Sequence, residues 1–579
     1  MKGFRKRSGR EKKRSYQVGD WKKYRDKSRQ RKRKNYEKNS DFFESPRGAY
    51  QADENLDFEI LQERFSYASD FSEKVKKEVS KTWSDYQKEL NDYQKKKSFP
   101  KSWLNREDLT NQTIFTIDGV TAKDFDDAIS LEKIDDGYRL GVHIADVSFF
   151  VSRLSFLDEA AFQRATSVYL VDKVIPMLPE ELSNDICSLV QNSPRLTVSV
   201  FLDYDHKGLL KKYHFCNSVI KSSKRFTYDE VQEFFDGKIS LPKKLEQSLG
   251  QMKILKNFLS EKRFNEGSIG FEEDEQVWDF GQEDNNFLTT KKRKFSEEMI
   301  EEFMLEANKA ASKKIAESGK GLFRVHESPD EEKLFQFNQL IRRMKRQLPK
   351  MGSENPLKKK GPNKYHLFLE KIKSQSEKFL FSKLLLTSMK QAHYHDKDSG
   401  HYGLGFLHYT HFTSPIRRYP DLIVHRILKE QLRLEELGKK NVSFSSGVLK
   451  GYDYLLKEIA KHCSDMERRA VKAEREYGKL KSIRYLKNLI ADKKDREWKS
   501  FITGITFRGN VFVRIEDLGI EGMIKCESFP EMLYYDESRM ALCNHKKQLV
   551  LTVGSELLVK VYRASVKDFF IEFIPSKWG

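Results

Sequence analysis

Alternation of hydrophobic and polar residues predicts two strands near positions 115 and 140. Thr113–Ile117 and Tyr138–Ile144 have the β-branched and aliphatic spacing of strands. Asp135-Asp136-Gly137, just before the second strand, is a turn sequence. We therefore expect a hairpin whose connection is long and acidic.

Other stretches follow helical spacing or break it. Residues 41 to about 100 are charged and helical in pattern, and a long charged helix is expected at about 453–495. Residues 341–364 combine many Lys and Arg with Pro and Gly, which predicts an exposed basic loop. Residues 298–316 predict an amphipathic helix that Gly319 ends. Its apolar positions are Met299, Ile300, Phe303, Met304, Ala307, Ala310 and Ala311.

The last part of the chain, about 80 residues, predicts five short strands. They lie around Ile502–Phe507, Val511–Ile515, Glu521–Ile524, Leu557–Tyr562 and Phe570–Ile574. This number of strands in this length suits a small Greek-key barrel of the OB type.

Together the patterns predict an α+β fold, because helices and strands mix without a regular βαβ repeat. A chain of 579 residues is too long for one ordinary domain. The changes in pattern predict four segments: a basic arm at 1–40, a charged helical segment at 41–111, a mixed domain at 112–495 and a barrel at 498–579.

The positive charge is concentrated at the start of the chain. The formal net charge is +20, and residues 1–40 contribute +14, from 18 Lys or Arg against 4 Asp or Glu. Tyr16, Trp21, Tyr24 and Tyr36 are interleaved with these cations. So little aliphatic content predicts a disordered arm. Because cations neutralise phosphates and aromatic rings stack on bases, RNA contact without sequence specificity is favoured over a merely solvated tail.

The sequence also argues against membrane and secreted classes. It has no run of about 18 uncharged apolar residues, and its first residues lead into more charge instead of an apolar segment. Five scattered cysteines without C-x-x-C spacing suit a reducing compartment. We expect a cytoplasmic protein with an anionic partner and no membrane partner.

Four aspartates carry the most specific chemical signal. Asp118, Asp124, Asp126 and Asp127 follow a hydrophobic strand within ten residues. Clustered carboxylates repel one another, and a cation relieves the repulsion. Ligation by oxygen alone, without nearby Cys or His, suits Mg²⁺, with Mn²⁺ as the alternative. Two such ions can activate water and stabilise the leaving oxygen of a phosphodiester.

Two other interpretations of this acidic segment exist. A Ca²⁺ loop beginning at Asp124 would place Ala128 at its fifth position and Ile129 at its sixth, where glycine is required, so that register fails. An exposed acidic turn is the remaining alternative, since Asp is common in turns. The preceding strand and the basic surrounding chain make it less favourable.

Four segments of the chain share one further feature: Asp118–Ala128, Val142–Ser148, Ile175–Leu189 and Thr413–Asp421. The first resembles the catalytic signature of the ribonuclease II/ribonuclease R family of 3′-to-5′ exoribonucleases, and the other three are similar to segments that follow it in that family, in the same order. Long motifs in order are far more specific than a lone short pattern. The resemblance covers about four fifths of the chain. It implies an RNB-type catalytic domain at 112–495 and an OB-fold RNA-binding domain of the ribosomal-protein type at 498–579.

The resemblance implies roles for the charged residues. Asp118, Asp124, Asp126 and Asp127 would hold Mg²⁺, and one of the pair Asp126/Asp127 would be the most sensitive to change. Arg417 would contact the phosphate near the scissile bond, as paired hydrogen bonds from a guanidinium suit. Arg418 beside it is a further expected RNA contact. From the residues alone, both arginines could equally be surface cations or carboxylate partners.

The resemblance also implies contacts to the end of the RNA. Tyr169 would pack on the terminal base and help set the length of the end product. Tyr228 and a glutamate, either Glu301 or Glu302, would hold the terminal nucleotide and its 2′-OH. From the residues alone, both tyrosines could be packing residues and either glutamate a solvated helix charge. His143 is expected to be a satisfied core residue or one that supports a neighbouring site residue.

The function implied is hydrolysis of single-stranded RNA from the 3′ end to nucleoside 5′-monophosphates by a monomer. Alternatives are a non-catalytic RNA-binding protein that uses the arm and the barrel, and a ribosome- or RNA-bound regulatory factor. Ribosomes or RNA-decay proteins are further expected partners. Full-length relatives usually carry two cold-shock modules before the catalytic domain. Only 117 residues precede Asp118, so we expect these modules to be missing and the arm to substitute partly as an RNA collector.

Overall fold

The computed structural model of the chain describes ten stretches of residues. They are residues 46–50, 52–96, 98–270, 275–278, 288–343, 363–438, 451–452, 455–492, 496–536 and 541–576. The predicted arm at 1–40, and residues 344–362 of the predicted basic loop, lie outside the described residues. From Arg47 onward the chain forms one compact unit.

Twelve α-helices occur in the residues that the structure describes. In chain order they are α1 (Asp57–Arg64), α2 (Glu73–Lys96), α3 (Val147–Phe150), α4 (Phe156–Arg164), α5 (Tyr228–Phe235), α6 (Lys243–Asn265), α7 (Phe295–Ala316), α8 (Glu331–Arg343), α9 (Lys364–Glu370), α10 (Gln375–Ser388), α11 (Tyr419–Glu436) and α12 (Leu456–Ala491). Helices α7 and α12 confirm the helices predicted at 298–316 and at about 453–495. Helices α1 and α2 lie in the segment predicted to be helical.

A mixed sheet organises the first half of the described chain. The first nine strands are β1 (Glu107–Asp108), β2 (Phe115–Asp118), β3 (Asp127–Ile134), β4 (Gly137–Ala145), β5 (Val168–Tyr169), β6 (Val174–Ile175), β7 (Pro194–Asp205), β8 (Leu210–Lys221) and β9 (Lys224–Thr227). Seven of them form one sheet in the order β1-β8-β7-β4-β3-β2-β9, while β5 and β6 pair separately as a hairpin. β9 runs parallel to β2 at the edge of the sheet.

The expected hairpin between the strands near 115 and 140 is wrong, because β3 lies between them. β2 pairs with β3, and β3 pairs with β4 along Asp127–Ile134. The apolar residues Ala128, Ile129 and Leu131 are buried, so the second half of the supposed acidic loop is itself a strand. Asp135 and Asp136 do form a turn, but it joins β3 to β4.

Helix α7 packs on this sheet through its predicted apolar face. Met299, Phe303, Ala307 and Ala311 are almost completely buried, and the helix contacts β4, β7 and the helices α6 and α11. Each fully buried side chain of the size of Met or Phe contributes about 1.5–3 kcal/mol to folding.

The C-terminal strands close into the predicted barrel. Twelve further strands are described: β10 (Glu275–Trp278), β11 (Leu288–Lys291), β12 (Phe323–Val325), β13 (His393–His395), β14 (Trp498–Ile505), β15 (Val511–Ile515), β16 (Glu521–Ile524), β17 (Tyr534–Asp536), β18 (Ala541–Cys543), β19 (Leu549–Thr552), β20 (Glu556–Ser565) and β21 (Phe570–Pro575). The barrel order β14-β15-β16-β21-β20, with β16 parallel to β21, confirms the five-stranded OB-fold. Strands β17–β19 form a separate small sheet between the third and fourth barrel strands that the sequence pattern did not predict.

Helix α12 connects the mixed domain to the barrel. It contacts β5, β13 and the barrel strand β20. The buried Arg484 on α12 pairs with Asp57 at 2.5 Å and 2.6 Å, which ties α1 to the same helix. Within the described residues, no helix is long and apolar enough to span a membrane.

Candidate active site

The four predicted aspartates lie around the loop that joins β2 to β3. Asp118 is the last residue of β2, and Asp127 is the first residue of β3. The two strands pair at Phe115 and Ile129 and separate beyond that point. The loop of residues 119–126 therefore depends on other parts of the chain for its position.

The segment before β7 holds the second half of this loop. Ser188 Oγ donates a hydrogen bond to the carbonyl oxygen of Lys123 at 2.7 Å and accepts one from the N–H of Phe125 at 3.0 Å. The N–H of Leu189 donates to the carbonyl oxygen of Phe125 at 3.0 Å. The resembling segment Ile175–Leu189 thus shapes the backbone on which Asp124 and Asp126 stand.

Asp126 contacts the segment Thr413–Asp421, which is the most distant of the four resembling segments in the sequence. Its Oδ1 accepts a hydrogen bond from the N–H of Ile416 at 2.8 Å, and its Oδ2 lies 3.7 Å from Nε of Arg417. The Asp126 side chain is 6% exposed, whereas the Arg417 side chain is 43% exposed. Arg417 Nη2 also donates to Ser414 Oγ at 3.0 Å. The guanidinium is therefore fixed at one edge and accessible from outside.

Burial and mutual repulsion raise the pKa values of these carboxyl groups. Burial, followed by the charge of Asp127, raises the pKa of Asp118 to about 8. Burial raises the pKa of Asp127 to about 6 against the opposing charge of Arg417. Burial also raises the pKa of Asp126 well above its ordinary range, although Arg417 opposes this. Such carboxylates are stabilised in their charged form when a cation joins them.

Tyr169 and Tyr228 both face this carboxylate group. The hydroxyl of Tyr169 donates to Oδ2 of Asp124 at 3.0 Å, and the ring is 41% exposed. Burial and the charges of Asp127 and Asp118 raise the pKa of Tyr228. Tyr228 is the first residue of α5, whose N-terminus is capped by Thr227. Two partly exposed aromatic side chains therefore stand beside the aspartates and Arg417.

Arg418 has a different environment from Arg417. Its Nη2 donates to Oδ1 of Asp421 at 2.8 Å, and its side chain is largely buried. The same Asp421 oxygen accepts the N–H of Ser414 at 2.8 Å. The structure does not bring Arg418 together with the aspartates, so its contact with RNA stays a prediction.

The two candidate glutamates differ sharply in surroundings. Glu302 is buried and accepts two hydrogen bonds from Arg263, at 2.7 Å and 2.5 Å. Glu301 is half-buried and pairs with Arg293 at 2.7 Å. Because Glu302 is enclosed by its arginine partner, the structure favours Glu301 as the more accessible of the two.

The segment Val142–Ser148 supplies structure beneath the site. His143 is fully buried, with Nε2 3.0 Å from Ser130 Oγ and Nδ1 2.7 Å from Ser199 Oγ. This confirms the expected core role of His143. Asp146 is buried between Arg106 and Lys429, at 2.5 Å and 2.7 Å. These residues fix β4 against its neighbours.

The donor chemistry of the aspartate group fits an oxygen-preferring divalent cation. The Oδ2 atoms of Asp118 and Asp126 are buried and accept no hydrogen bond from the residues that the structure describes. As the described side chains stand, no three His, Cys, Asp or Glu form a metal-holding cluster. These two buried oxygens, of which that of Asp126 also lies 3.7 Å from Arg417 Nε, therefore have ligand capacity left for a cation. The complete four-aspartate arrangement implied by the resemblance is not formed.

Sequence reasoning missed Glu474 on α12. Its Oε1 accepts the backbone N–H of Tyr169 at 2.9 Å, and burial raises its pKa. The contact holds the β5–β6 hairpin, which carries Tyr169. Along a helix as highly charged as α12, nothing in the spacing separates Glu474 from solvent-facing charges.

Comparison with known proteins identifies the family. A model of the RNB domain matches residues 106–434. The ribonuclease R of Aquifex aeolicus is 33% identical over 525 residues, which cover 89% of this chain and 69% of that protein. This chain belongs to the ribonuclease R family. The ribonuclease R of Thermotoga maritima is 40% identical over 481 residues, which cover 82% of this chain.

The chain spans about two thirds or less of the length of two of the ribonuclease R proteins that it matches. Its match spans 65% of the Thermotoga maritima protein and 57% of Lactococcus lactis ribonuclease R 1, which is 35% identical over 82% of this chain.

Solved structures of the ribonuclease R fold match most of the chain. Mycoplasma genitalium RNase R in complex with ribose methylated single-stranded RNA has a TM-score of 0.77 at 26% identity, covering 90% of this chain and 78% of that one. Yeast Ssd1, a pseudonuclease, has a TM-score of 0.61 at 20% identity, covering 76% of this chain and 52% of that one. The second likeness concerns the fold alone. Since this fold is found in a pseudonuclease as well, activity must be argued from the site residues.

Proposed function

We propose that this protein is a 3′-to-5′ exoribonuclease that hydrolyses single-stranded RNA to nucleoside 5′-monophosphates with Mg²⁺, or with Mn²⁺ in its place. Membership of the ribonuclease R family supports the reaction class. The observation that carries the proposal is the convergence of Asp126 and Arg417 from opposite ends of the RNB match, beside Asp118 and Asp127. In a solvated acidic turn, Asp126 would be exposed and would have no reason to lie beside Arg417, which is about 290 residues away in the sequence.

In this proposal the aspartates hold the cation, and other side chains hold the RNA. Asp118 and Asp126 each have a buried oxygen that accepts no hydrogen bond from the described residues and can bind the cation. Asp124 and Asp127 are the further candidate ligands. A bound divalent cation would supply Lewis-acid polarisation of the phosphate and would lower the pKa of water enough to provide a hydroxide nucleophile. The half-exposed guanidinium of Arg417 is placed to donate paired hydrogen bonds to the phosphate next to the scissile bond.

The aromatic side chains account for the absence of sequence preference that we propose. Every base has a π-face, and stacking contributes about 1–3 kcal/mol per base. Tyr169 and Tyr228 would stack on or enclose the terminal nucleotide, and the accessible Glu301 would bind its 2′-OH. A group that reads the 2′-OH separates RNA from DNA. Glu302 would serve this role only if it left Arg263.

A second candidate is a non-catalytic RNA-binding protein that uses the arm and the barrel. The pseudonuclease with the same fold motivates it. The four aspartates and Arg417 are all present in this sequence, which favours the enzyme. A further regulatory role on ribosomes is compatible with either candidate.

We further propose a division of labour along the chain. Residues 1–40 would collect RNA without specificity, 41–111 would brace the core, 112–495 would carry catalysis, and 498–579 would bind RNA. Single-stranded RNA would be the substrate of a monomer, and RNA-decay proteins or ribosomes the other partners. The five described cysteines form no disulfide, which supports a cytoplasmic location.

Direction and product can be tested with one RNA labelled at either end. With 5′-labelled single-stranded RNA and Mg²⁺, the proposal expects a ladder that shortens from the 3′ end. With 3′-labelled RNA it expects immediate release of a labelled nucleoside 5′-monophosphate. Bound but intact RNA would support the non-catalytic candidate. Internal fragments carrying the 3′ label would contradict exonucleolytic cleavage.

A further inference from the structure

Arg225 reaches from the edge strand of the sheet onto the aspartate loop. It lies on β9, where it is the register partner of Thr116 on β2. Because β9 and β2 are parallel, a long side chain at this position can extend past the end of β2 at Asp118. Its Nη2 donates hydrogen bonds to the carbonyl oxygens of Gly119 at 2.7 Å and of Val120 at 2.9 Å.

The same guanidinium also contacts the other side of the loop. Cζ of Arg225 lies 5.5 Å from the centre of the Phe125 ring, in cation–π geometry. Phe125 stands between Asp124 and Asp126 in the sequence. A single side chain therefore touches the backbone that follows Asp118 and the ring that precedes Asp126.

Arg225 complements the anchors already described. Ser188 and Leu189 hold the loop at Lys123 and Phe125, which fixes its second half. Arg225 holds its first half at Gly119 and Val120. The N–H of Arg225 is in turn bound to Oε1 of Gln191 at 3.1 Å. The two hydrogens of Nη2 serve the two carbonyl oxygens while the planar guanidinium lies over the Phe125 ring, a combination that a lysine ammonium matches less well.

We propose that Arg225 is a positioning residue that sets the separation of Asp118 from the Asp124–Asp127 side of the loop, and so the affinity of this group for a divalent cation. The inference deepens the proposed function and rests on it. Arg225 acts on backbone and ring positions, and it is not itself assigned to RNA. Its positive charge also acts on Asp118; because loss of that charge alone would strengthen cation binding, a weaker affinity of Arg225→Gln would report lost positioning. Arg225 also precedes Tyr228 by three residues. β9 therefore connects the loop of residues 119–126 to Tyr228, the side chain proposed to hold the terminal nucleotide.

The test compares Arg225→Gln and Arg225→Lys with the unchanged protein. Binding of Mn²⁺ is measured without RNA, from the electron paramagnetic resonance signal of the free ion. Removal of an outer residue that orients metal ligands typically weakens binding by about 10–100-fold, and we expect that range for Arg225→Gln and a smaller effect for Arg225→Lys. RNA affinity in EDTA should stay within about twofold for both variants, because Arg225 does not contact RNA in this proposal. Arg139→Gln, which breaks the Arg139–Asp203 pair at the other end of β4, is the matched control and should leave Mn²⁺ binding unchanged.

Two results would overturn the inference. One is Mn²⁺ affinity of a folded Arg225→Gln equal to that of the unchanged protein. The other is weaker RNA binding in EDTA with unchanged Mn²⁺ affinity, which would make Arg225 an RNA contact. If thermal melting shows that Arg225→Gln does not fold, Arg225→Lys decides by the same criteria. Mn²⁺ binding is measured without RNA, so the two proposals can fail separately. If the unchanged protein binds Mn²⁺ but leaves RNA intact, the proposed function is refuted, while the effect of Arg225 on Mn²⁺ affinity can still be measured.

Discussion

The hydroxyl of Tyr169 donates a hydrogen bond to Oδ2 of Asp124 at 3.0 Å. Burial and the charge of Asp124 raise the pKa of Tyr169, so the hydroxyl stays protonated and remains a donor at neutral pH. The half-exposed ring is thereby held beside the carboxylate group. We expect the hydroxyl to position the side chain and the ring to stack on the terminal base.

The two parts can be separated with Tyr169→Phe and Tyr169→Ala. Tyr169→Ala removes a stacking surface worth about 1–3 kcal/mol, so we expect a longer final oligonucleotide on a sequencing gel of 5′-labelled RNA. Tyr169→Phe keeps the ring, so we expect an unchanged final length with at most about a tenfold slower rate, the size of one missing hydrogen bond. Equal changes of final length in both variants would contradict the role of the ring.

The predicted arm gives a salt-dependent test. We expect deletion of residues 1–40 to weaken RNA binding and to flatten the plot of log affinity against log salt, by about 0.7 for each phosphate that the arm no longer neutralises. A chain of the same length, with the Lys and Arg of residues 1–40 replaced by Gln, should behave like the deletion. Unchanged affinity and slope in the deletion would refute the arm as an RNA collector.

Asp146 offers a test of stability away from the reaction. Burial alone would raise its pKa, but Lys429 and Arg106 outweigh burial and hold the pKa well below its ordinary range. Its contribution is therefore present above the unfolded value of about 3.9 and is lost as pH falls below it. At pH 7 we expect Asp146→Asn to lower the free energy of unfolding in urea by about 3–5 kcal/mol, because the largely enclosed cations Arg106 and Lys429 lose their charged partner. Asp136→Asn, in the exposed β3–β4 turn, should change it little; equal effects would contradict the assignment.

His143 predicts a pH dependence in a higher window. Burial lowers its pKa to about 3, below the unfolded value of about 6.5, so the unfolded chain binds the proton first and stability falls as pH drops below 6.5. Between pH 7 and pH 5 this one group should cost about 2 kcal/mol. We expect His143→Gln to reduce the loss of unfolding free energy between these pH values, while the exposed His545→Gln keeps it. An identical loss in all three proteins would contradict a buried neutral His143.

The sequence pattern predicts the helices and the barrel well. The helices repeat their apolar positions over many turns, and the barrel strands alternate clearly between apolar and polar residues. Val511 and Val513 alternate with outward residues as the barrel requires. The β2–β3–β4 order was missed because Asp127, at the start of β3, belongs to a run of aspartates that obscures the strand. The β17–β19 sheet was missed because strands of three or four residues carry almost no period.

The candidate site could be predicted where charge density or family resemblance marked it. Asp126 and Arg417 do lie 3.7 Å apart, yet their contact joins segments that no local pattern connects. The partners of Arg418 and Glu302 could not be predicted, since Asp421 and Arg263 become neighbours only through packing. The importance of Arg225 depends on the parallel register of β9 with β2, which the sequence does not show.

Asp126→Asn removes one carboxylate charge and keeps the shape of the side chain, so it tests the aspartate group without a change in side-chain volume. In Mg²⁺, this variant should release nucleoside 5′-monophosphates from single-stranded RNA at least about 10³-fold more slowly, since a bound cation contributes several kcal/mol to the transition state. It should still bind the RNA. Asp203→Asn, at the far end of the sheet, should degrade RNA at the normal rate. Loss of a catalytic cation should slow the reaction by much more than tenfold. If Asp126→Asn degrades RNA at a rate within about tenfold of the unchanged protein, the result would contradict a reaction that depends on this aspartate group.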